Sequence, residues 1–306
     1  MDLRQLNALI AVAEHRSFSA AADALSTVQS NVSAHIGRLE RELGATLFDR
    51  SAARLTEEGN LVVDRARRIH AEVQALLADV AAVKHDVTGT VQLGIIGTTA
   101  RWLVPRLLEA MRDRHPGVRM VVVDATSTSL EPRLLNGSLD AAVINIPLPS
   151  RDVSTTPLFD EDLMLFVPDD HPIAGRAQID VAELASMELL LTPTGTALRD
   201  QLELVAKDHG VTLNAQAELD GVRLIATLAI EGFGAAILPA SAVPARLQNR
   251  TRPVPVKGLP RRRVGIAQRR RGLPSAPTRA MLAVLHELVG EETDGGTGIY
   301  SPRQAT

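Results

Sequence analysis

The sequence predicts an α/β protein with a small helical unit at its amino terminus, then one long helix, then a larger part in which strands and helices alternate. Three observations carry that expectation. Residues 18–50 hold two short amphipathic helices joined by a polar turn, apolar residues repeat in heptads from Val62 to Val87, and from residue 91 onward strand-like and helix-like segments follow one another.

In the first of these, Val32, Ile36, Leu39 and Leu43 fall at steps of four, three and four, one face of a helix, and Gly44 offers the left-handed residue that ends it. Ser19 is the expected N-cap of the preceding helix, which should run to Leu25, and Ala20, Ala21 and Ala22 are small enough for close approach. The other face of the second helix carries Gln29, Ser30, Asn31, Ser33 and His35. Amides and hydroxyls directed outward suit base edges in a major groove, and they equally suit the solvated face of a small bundle. Net charge favours neither reading, because residues 1–90 hold ten Lys and Arg against twelve Asp and Glu. Phosphate contacts therefore fall to placed arginines, with Arg38, Arg50 and Arg54 the candidates.

At 306 residues the chain should divide into two or three folding units. It contains no cysteine, which removes disulfides and thiolate metal sites and fits a reducing cytoplasm. No apolar run reaches the roughly 18 residues of a membrane span, and the amino-terminal residues do not read as a secretory signal, so a cytoplasmic protein without membrane contact is expected.

Thr56 followed by Glu57 and Glu58 reads as a helix start. Beyond it Val62, Ala66, Ile69, Val73, Leu76, Val80, Val83 and Val87 recur at alternating steps of four and three. So narrow a seam is more easily buried against a second copy of the helix than within one chain, and a homodimer is inferred. The alternative is that the seam packs on the same chain's later part. A two-fold protein would read an inverted repeat. Thr88, Gly89 and Thr90 should end the helix and act as a hinge.

The third part reads as strand 91–96, helix 101–114, strand 118–124, helix 130–136 and strand 139–144, the order of a mostly parallel sheet. The alternation resumes with a strand at 163–167, helices near 196–209 and 223–231, and strands near 211–217 and 235–238. Two α/β lobes follow, with a ligand cleft between them. Hydroxyls cluster where strands hand over to helices: Thr98 and Thr99, then Ser127, Thr128 and Ser129, then Thr194 and Thr196. Such positions suit a carboxylate or another small organic anion, and each cluster alone also reads as an N-cap. Trp102, the chain's only tryptophan, and Asn145 are further candidates for the cleft, Trp102 being equally suited to the core.

Residues 232–286 hold eleven Lys and Arg and no acid, which suits a second nucleic-acid surface, a contact with acidic neighbours or a solvated rim, and the VGIAQ between its two arginine triplets reads as a strand and favours the rim. No metal-ligand spacing, phosphate loop or nucleophile signature is present, so neither an enzyme nor a bound cofactor is expected. Residues 293–306 read as a disordered tail.

The stretch SFSAAADALSTVQSNVSAHIGRLERELGATLFDR followed by LTEEG, with GTVQLGIIGT, RHPGV, LLNGSLDAAV and GFGAAILP in order behind it, resembles the LysR-type transcriptional regulators over nearly the whole chain. The resemblance implies a winged helix-turn-helix at 1–57, a dimerising linker helix at 58–88, and a two-lobed effector domain like periplasmic binding proteins at 89–292. Lobe 1 would comprise about 89–162 and 265–292, and lobe 2 about 163–264. It implies double-stranded DNA, a small-molecule effector and further copies of the chain, as a dimer of dimers, for partners. Gln29 and its neighbours would face bases while Ser33, Arg50 and Arg54 approach phosphates or the wing's groove. Val28 stands where many members of the family have Ser or Thr, which implies that Thr27 or Ser26 caps the recognition helix.

Overall fold

The computed structural model describes all residues except 85–86, 149, 244–246, 248–249, 294–297 and 303–306. Three helices open the chain: α1 (Leu3–His15), α2 (Phe18–Ala24) and α3 (Gln29–Leu43). Arg16, left-handed at φ 52°, ends α1 and leaves Ser17, not Ser19, to cap α2 through a bond from the Ala20 N–H at 3.3 Å. The apolar stripe of α3 is buried at Val32, Ile36 and Leu39, but Leu43 lies beyond the bundle and is exposed. A two-stranded wing follows, β1 (Phe48–Asp49) antiparallel to β2 (Arg54–Leu55). Glu40 of α3 fixes its start by accepting the Leu47 N–H at 2.8 Å.

The long helix α4 (Glu57–Val83) begins at Thr56, whose hydroxyl accepts from Gly59 at 2.9 Å and donates to the Thr46 carbonyl at 2.7 Å. It ends at Val83, so Val87 and the Thr88–Thr90 segment fall outside the helix. Strand β3 starts at Gly89, whose φ of 130° lies outside the helical region. The heptad seam is also divided: Val62 and Ala66 join the amino-terminal core with Leu9, Ile36 and Leu47, while Ile69, Leu76, Val80 and Val83 remain exposed.

The rest comprises β3 (Gly89–Ile95), α5 (Gly97–Arg114), β4 (Val118–Asp124), α6 (Ser127–Leu135), β5 (Ala141–Asn145), β6 (Val153–Glu161), β7 (Leu163–Pro168), β8 (Ile179–Asp180), β9 (Glu188–Leu191), α7 (Ala197–Asp208), β10 (Asn214–Glu218), α8 (Val222–Ile230), β11 (Ala236–Pro239), β12 (Thr251–Lys257), β13 (Arg262–Arg269), α9 (Ala276–Thr293) and β14 (Ile299–Tyr300). A six-stranded sheet runs β14-β6-β13-β5-β3-β4. It is mixed rather than mostly parallel: β3 is parallel to β4 and β5, but β13 is antiparallel to both β5 and β6, and β14 is antiparallel to β6. The second lobe holds β11-β7-β12-β8 and the β10-β9 pair. Each lobe buries its own apolar core, one around Leu93, Leu107, Phe159 and Leu285, the other around Leu165, Val181, Leu189 and Ile237.

The tail expected to be disordered is ordered in part. α9 continues to Thr293, and Ile299 and Tyr300 form a strand against Glu161 and Asp160, with Ile299 buried. Gly298 at φ 80° turns the chain into that strand.

Candidate functional sites

Two assemblies of polar groups stand out. The first is the outward side of α3. Ser26 is left-handed at φ 50°, and Thr27 then accepts from the Asn31 side chain at 3.0 Å rather than from the backbone of the helix. The N-cap is Val28, without a side-chain bond, which corrects the expectation that Thr27 or Ser26 caps. The first-turn N–H groups of α3 thus have no side-chain acceptor, and the positive end of the helix dipole sits beside exposed Gln29, Ser30 and Asn31. Half-buried Ser33 accepts from Arg50 Nη2 at 2.9 Å, with that guanidinium 5.4 Å from the Phe18 ring. Arg38 lies on the same helix, 3.2 Å from His35 Nδ1. Arg54 is exposed on β2, and Asp49 tightens the wing turn by accepting from Ser51 and Ala52, bonds that hold its carboxyl below the usual range. Gln29, Ser30, Asn31, Arg38, Arg50 and Arg54 are exposed, and Ser33 and His35 are half-buried.

The second assembly lies between the lobes, at the amino end of α5. Thr98 and Thr99 are buried and both accept from Arg262 Nη2, at 3.0 and 3.3 Å. Arg262 on β13 is paired with fully buried Glu161 on β6 at 2.5 Å, and Glu161 also accepts the Ser241 N–H of the second lobe at 2.6 Å. Trp102, one turn beyond Thr98, packs edge-on against Phe159 at 5.8 Å. Because Phe159, Val264 and Asn145 are register partners across β6, β13 and β5, Asn145 faces the same way as Phe159. Among the described residues, Trp102 Nε1, Asn145 Oδ1 and Ser241 Oγ are buried with no hydrogen-bond partner. Three orphaned polar atoms around one ion pair mark a place suited to a small polar molecule.

The other hydroxyls are engaged locally. Thr126 caps α6 and holds Thr128 and Ser129 at 3.0 Å, and Ser127 accepts the Asn145 N–H at 3.1 Å. Thr196 bonds Thr192 and the Pro193 carbonyl, Thr194 is exposed, and no hydrogen bond among the described residues links either to the first lobe. Sequence reasoning missed Arg262, Glu161 and Ser241. Their signal was the run Asp160-Glu161-Asp162 answering Arg261-Arg262-Arg263, pair by pair, at 2.8 Å for Arg263–Asp160 and 2.7 Å for Arg261–Asp162. With Arg252 on Asp169 and Arg279 on Asp79, five of the eleven basic residues of the tract are paired with acids from outside it, and Arg269 and Arg270 donate to backbone carbonyls.

The lobes also meet through Arg101, which donates to the Ala242 carbonyl at 2.8 Å, and through an Arg223–Asp124 ion pair. Gly97 permits that pair, since a Cβ there would lie 3.1 Å from both side chains. A separate groove of about 1340 Å³ opens elsewhere, between α4 and the far end of the first lobe beside His70, Arg119 and Arg133. Among the described residues no group of acids and histidines could hold a metal ion, and no helix is long and apolar enough to cross a membrane.

Comparison with known proteins places the chain in a family. Residues 3–60 match the bacterial regulatory helix-turn-helix protein, lysR family, and residues 84–290 match the LysR substrate binding domain. The chain is 31% identical over 299 residues to the DNA-binding transcriptional dual regulator OxyR of Escherichia coli K12, covering 96% of this chain and 97% of that one. It is 33% identical over 292 residues to a probable hydrogen peroxide-inducible genes activator of Streptomyces viridosporus, covering 94% of each. Among solved structures, a cysteine-to-aspartate variant of full-length OxyR from Pseudomonas aeruginosa matches with a TM-score of 0.76 at 28% identity over 94% of each chain. The architecture of helix-turn-helix, long helix and two α/β lobes is that of a DNA-binding regulator and not of an enzyme, and the chain belongs to the LysR-type transcriptional regulators, with OxyR-like proteins among its relatives.

Proposed function

We propose that this regulator reads an interrupted inverted repeat as an oligomer and that a small molecule between its lobes changes how it sits there. In this reading residues 1–57 meet DNA, 58–88 join copies of the chain, and 89–292 take the effector. The observation that carries it is α3 itself: Val32, Ile36 and Leu39 are buried while Gln29, Ser30 and Asn31 stand exposed at an uncapped helix start, with Arg50 tied to Ser33 beside them. An uncapped amino end next to an arginine is a phosphate site, and the amides around it reach base edges. Exposed Ile69, Leu76, Val80 and Val83 support pairing of α4 with its copy.

The signal differs from thiol chemistry. Relatives carry names that refer to hydrogen peroxide, and peroxide is recorded most directly as a sulfenate or disulfide, which needs a thiol. This chain has no cysteine, so a thiol record is closed to it, and the cleft supports a response through non-covalent binding. The cleft offers Arg262 beside Thr98 and Thr99, where a carboxylate or other organic anion would compete with Glu161.

Gel shifts on the protein's own upstream DNA test the DNA surface. Gln29→Ala should erase choice among operator variants at a cost of about 1–3 kcal/mol, whereas Arg50→Ala should weaken all sequences alike and flatten the salt dependence. Unchanged binding in both would remove the assigned surface.

A further inference from the structure

The two lobes are joined at two places. The first crossover is Asp162 alone, between β6 and β7, and the second runs from residue 258 to Arg261, between β12 and β13. The chain's last described strand lies over both. The Asp162 N–H donates to the Gly298 carbonyl at 2.9 Å, and the Asp162 carboxylate accepts from the Tyr300 hydroxyl at 2.7 Å. Arg261, from the second crossover, pairs with the same carboxylate at 2.7 Å and stacks on the Tyr300 ring at 3.6 Å. Behind this, the Ala240 N–H of the second lobe donates to the Asp162 carbonyl at 3.0 Å, and a Cβ on Gly298 would come within 2.8 Å of Ala240. The strand therefore touches both lobes and both connections. Ile299 pairs with Glu161, the residue that holds Arg262 beside Thr98 and Thr99. The span that matches the LysR substrate binding domain ends at residue 290, before this strand.

We propose that residues 298–300 form a brace on the inter-lobe hinge, and that Tyr300 is a positioning residue which sets the lobe angle and, through Glu161, the placement of Arg262 in the cleft. A ligand that needs the lobes to move works against this brace. The hinge half stands on the contacts above, and the second half rests on the cleft being the effector site.

The composition makes the test selective. Tyr300 is the only tyrosine, Trp102 the only tryptophan, and cysteine is absent, so each probe reports one place. Arg112→Cys in the first lobe and Lys207→Cys in the second, both exposed, take spin labels in the full-length protein diluted with unlabelled chain. The intact chain should give one narrow separation. Ending the chain after Thr293, or Tyr300→Ala, should broaden it toward longer distances, and Tyr300→Phe, which keeps the ring under Arg261, should fall between. In the same samples Tyr300→Ala should shift Trp102 emission. Ultraviolet absorbance of the phenolate should show Tyr300 titrating above the ordinary value of about 10, because the hydrogen bond to Asp162 and burial hold its proton, and Asp162→Ala should return it toward that value. A shortened chain that melts cooperatively and gives the intact distance distribution overturns the brace. A widened distribution with unmoved Trp102 emission upholds the brace and overturns its link to the cleft.

Discussion

Arg262 joins two parts of the molecule with one guanidinium, accepted by Glu161 across the sheet and by two threonine hydroxyls at the start of α5. Thr98 and Thr99 were legible because hydroxyls ahead of a helix are a local pattern. Glu161 was not, because its strand, VSTTPLFDE, carries a proline and no clean alternation, so its cross-strand partner could not be placed. The same scale offers a pH test at Asp140, half-buried below Gln92, whose N–H it accepts at 2.7 Å. Burial pushes its carboxyl above the usual range, although the Gln92 bond and Arg269 oppose that. The folded state then binds its proton more tightly than the unfolded state, so stability falls as pH rises from the ordinary carboxylate value through the raised one. Asp140→Asn keeps an acceptor for Gln92 and should remove that slope, measured by urea unfolding across the acid range. A steeper loss with rising pH in the variant would contradict the assignment.

Among the elements, the helices with one clear apolar face were read best, while α9 (Ala276–Thr293) was not read at all. The spacing in α3 and α4 located both to within a few residues, since a 3.6-residue period leaves a mark that chain order alone preserves. Their ends were set by backbone that spacing does not reveal, such as left-handed Arg16 and Ser26 and the strand beginning at Gly89. β12 escaped altogether: Pro253 and Pro255 argue against a strand, yet both pair with β7, while the two-residue β8 flanks only Val256 and Lys257 beyond them. For α4 the structure sharpens the oligomer argument. Ala66 is spent on the amino-terminal core, and Ala78 and Asp79 face α9, where Asp79 accepts the Ala276 N–H at 2.7 Å. Leu76 and Val80 have no such use and are 62% and 57% exposed. Leu76→Asp with Val80→Asp should therefore leave the monomer folded, abolish the oligomer in light scattering and weaken operator binding. An intact oligomer with normal circular dichroism would move the interface elsewhere.

For the whole molecule, the division into a small helical unit, a long helix and two lobes was visible in apolar period and in the alternation of strands and helices, while the interleaving of the lobes was not. The second lobe is one uninterrupted stretch from β7 to β12, whereas the first takes β3 to β6 from before it and β13 and β14 from after it. β13 lies between β6 and β5, so their pairing surfaces have no partner until residue 262 and beyond have been made. On the ribosome this imposes an order: the later lobe closes while the earlier one waits, its apolar strand edges open to chaperones or to neighbouring nascent chains. Translation arrested once Lys257 has cleared the exit tunnel should yield a chain in which residues 163–257 resist protease and 89–161 do not, and release of about forty more residues should protect both together.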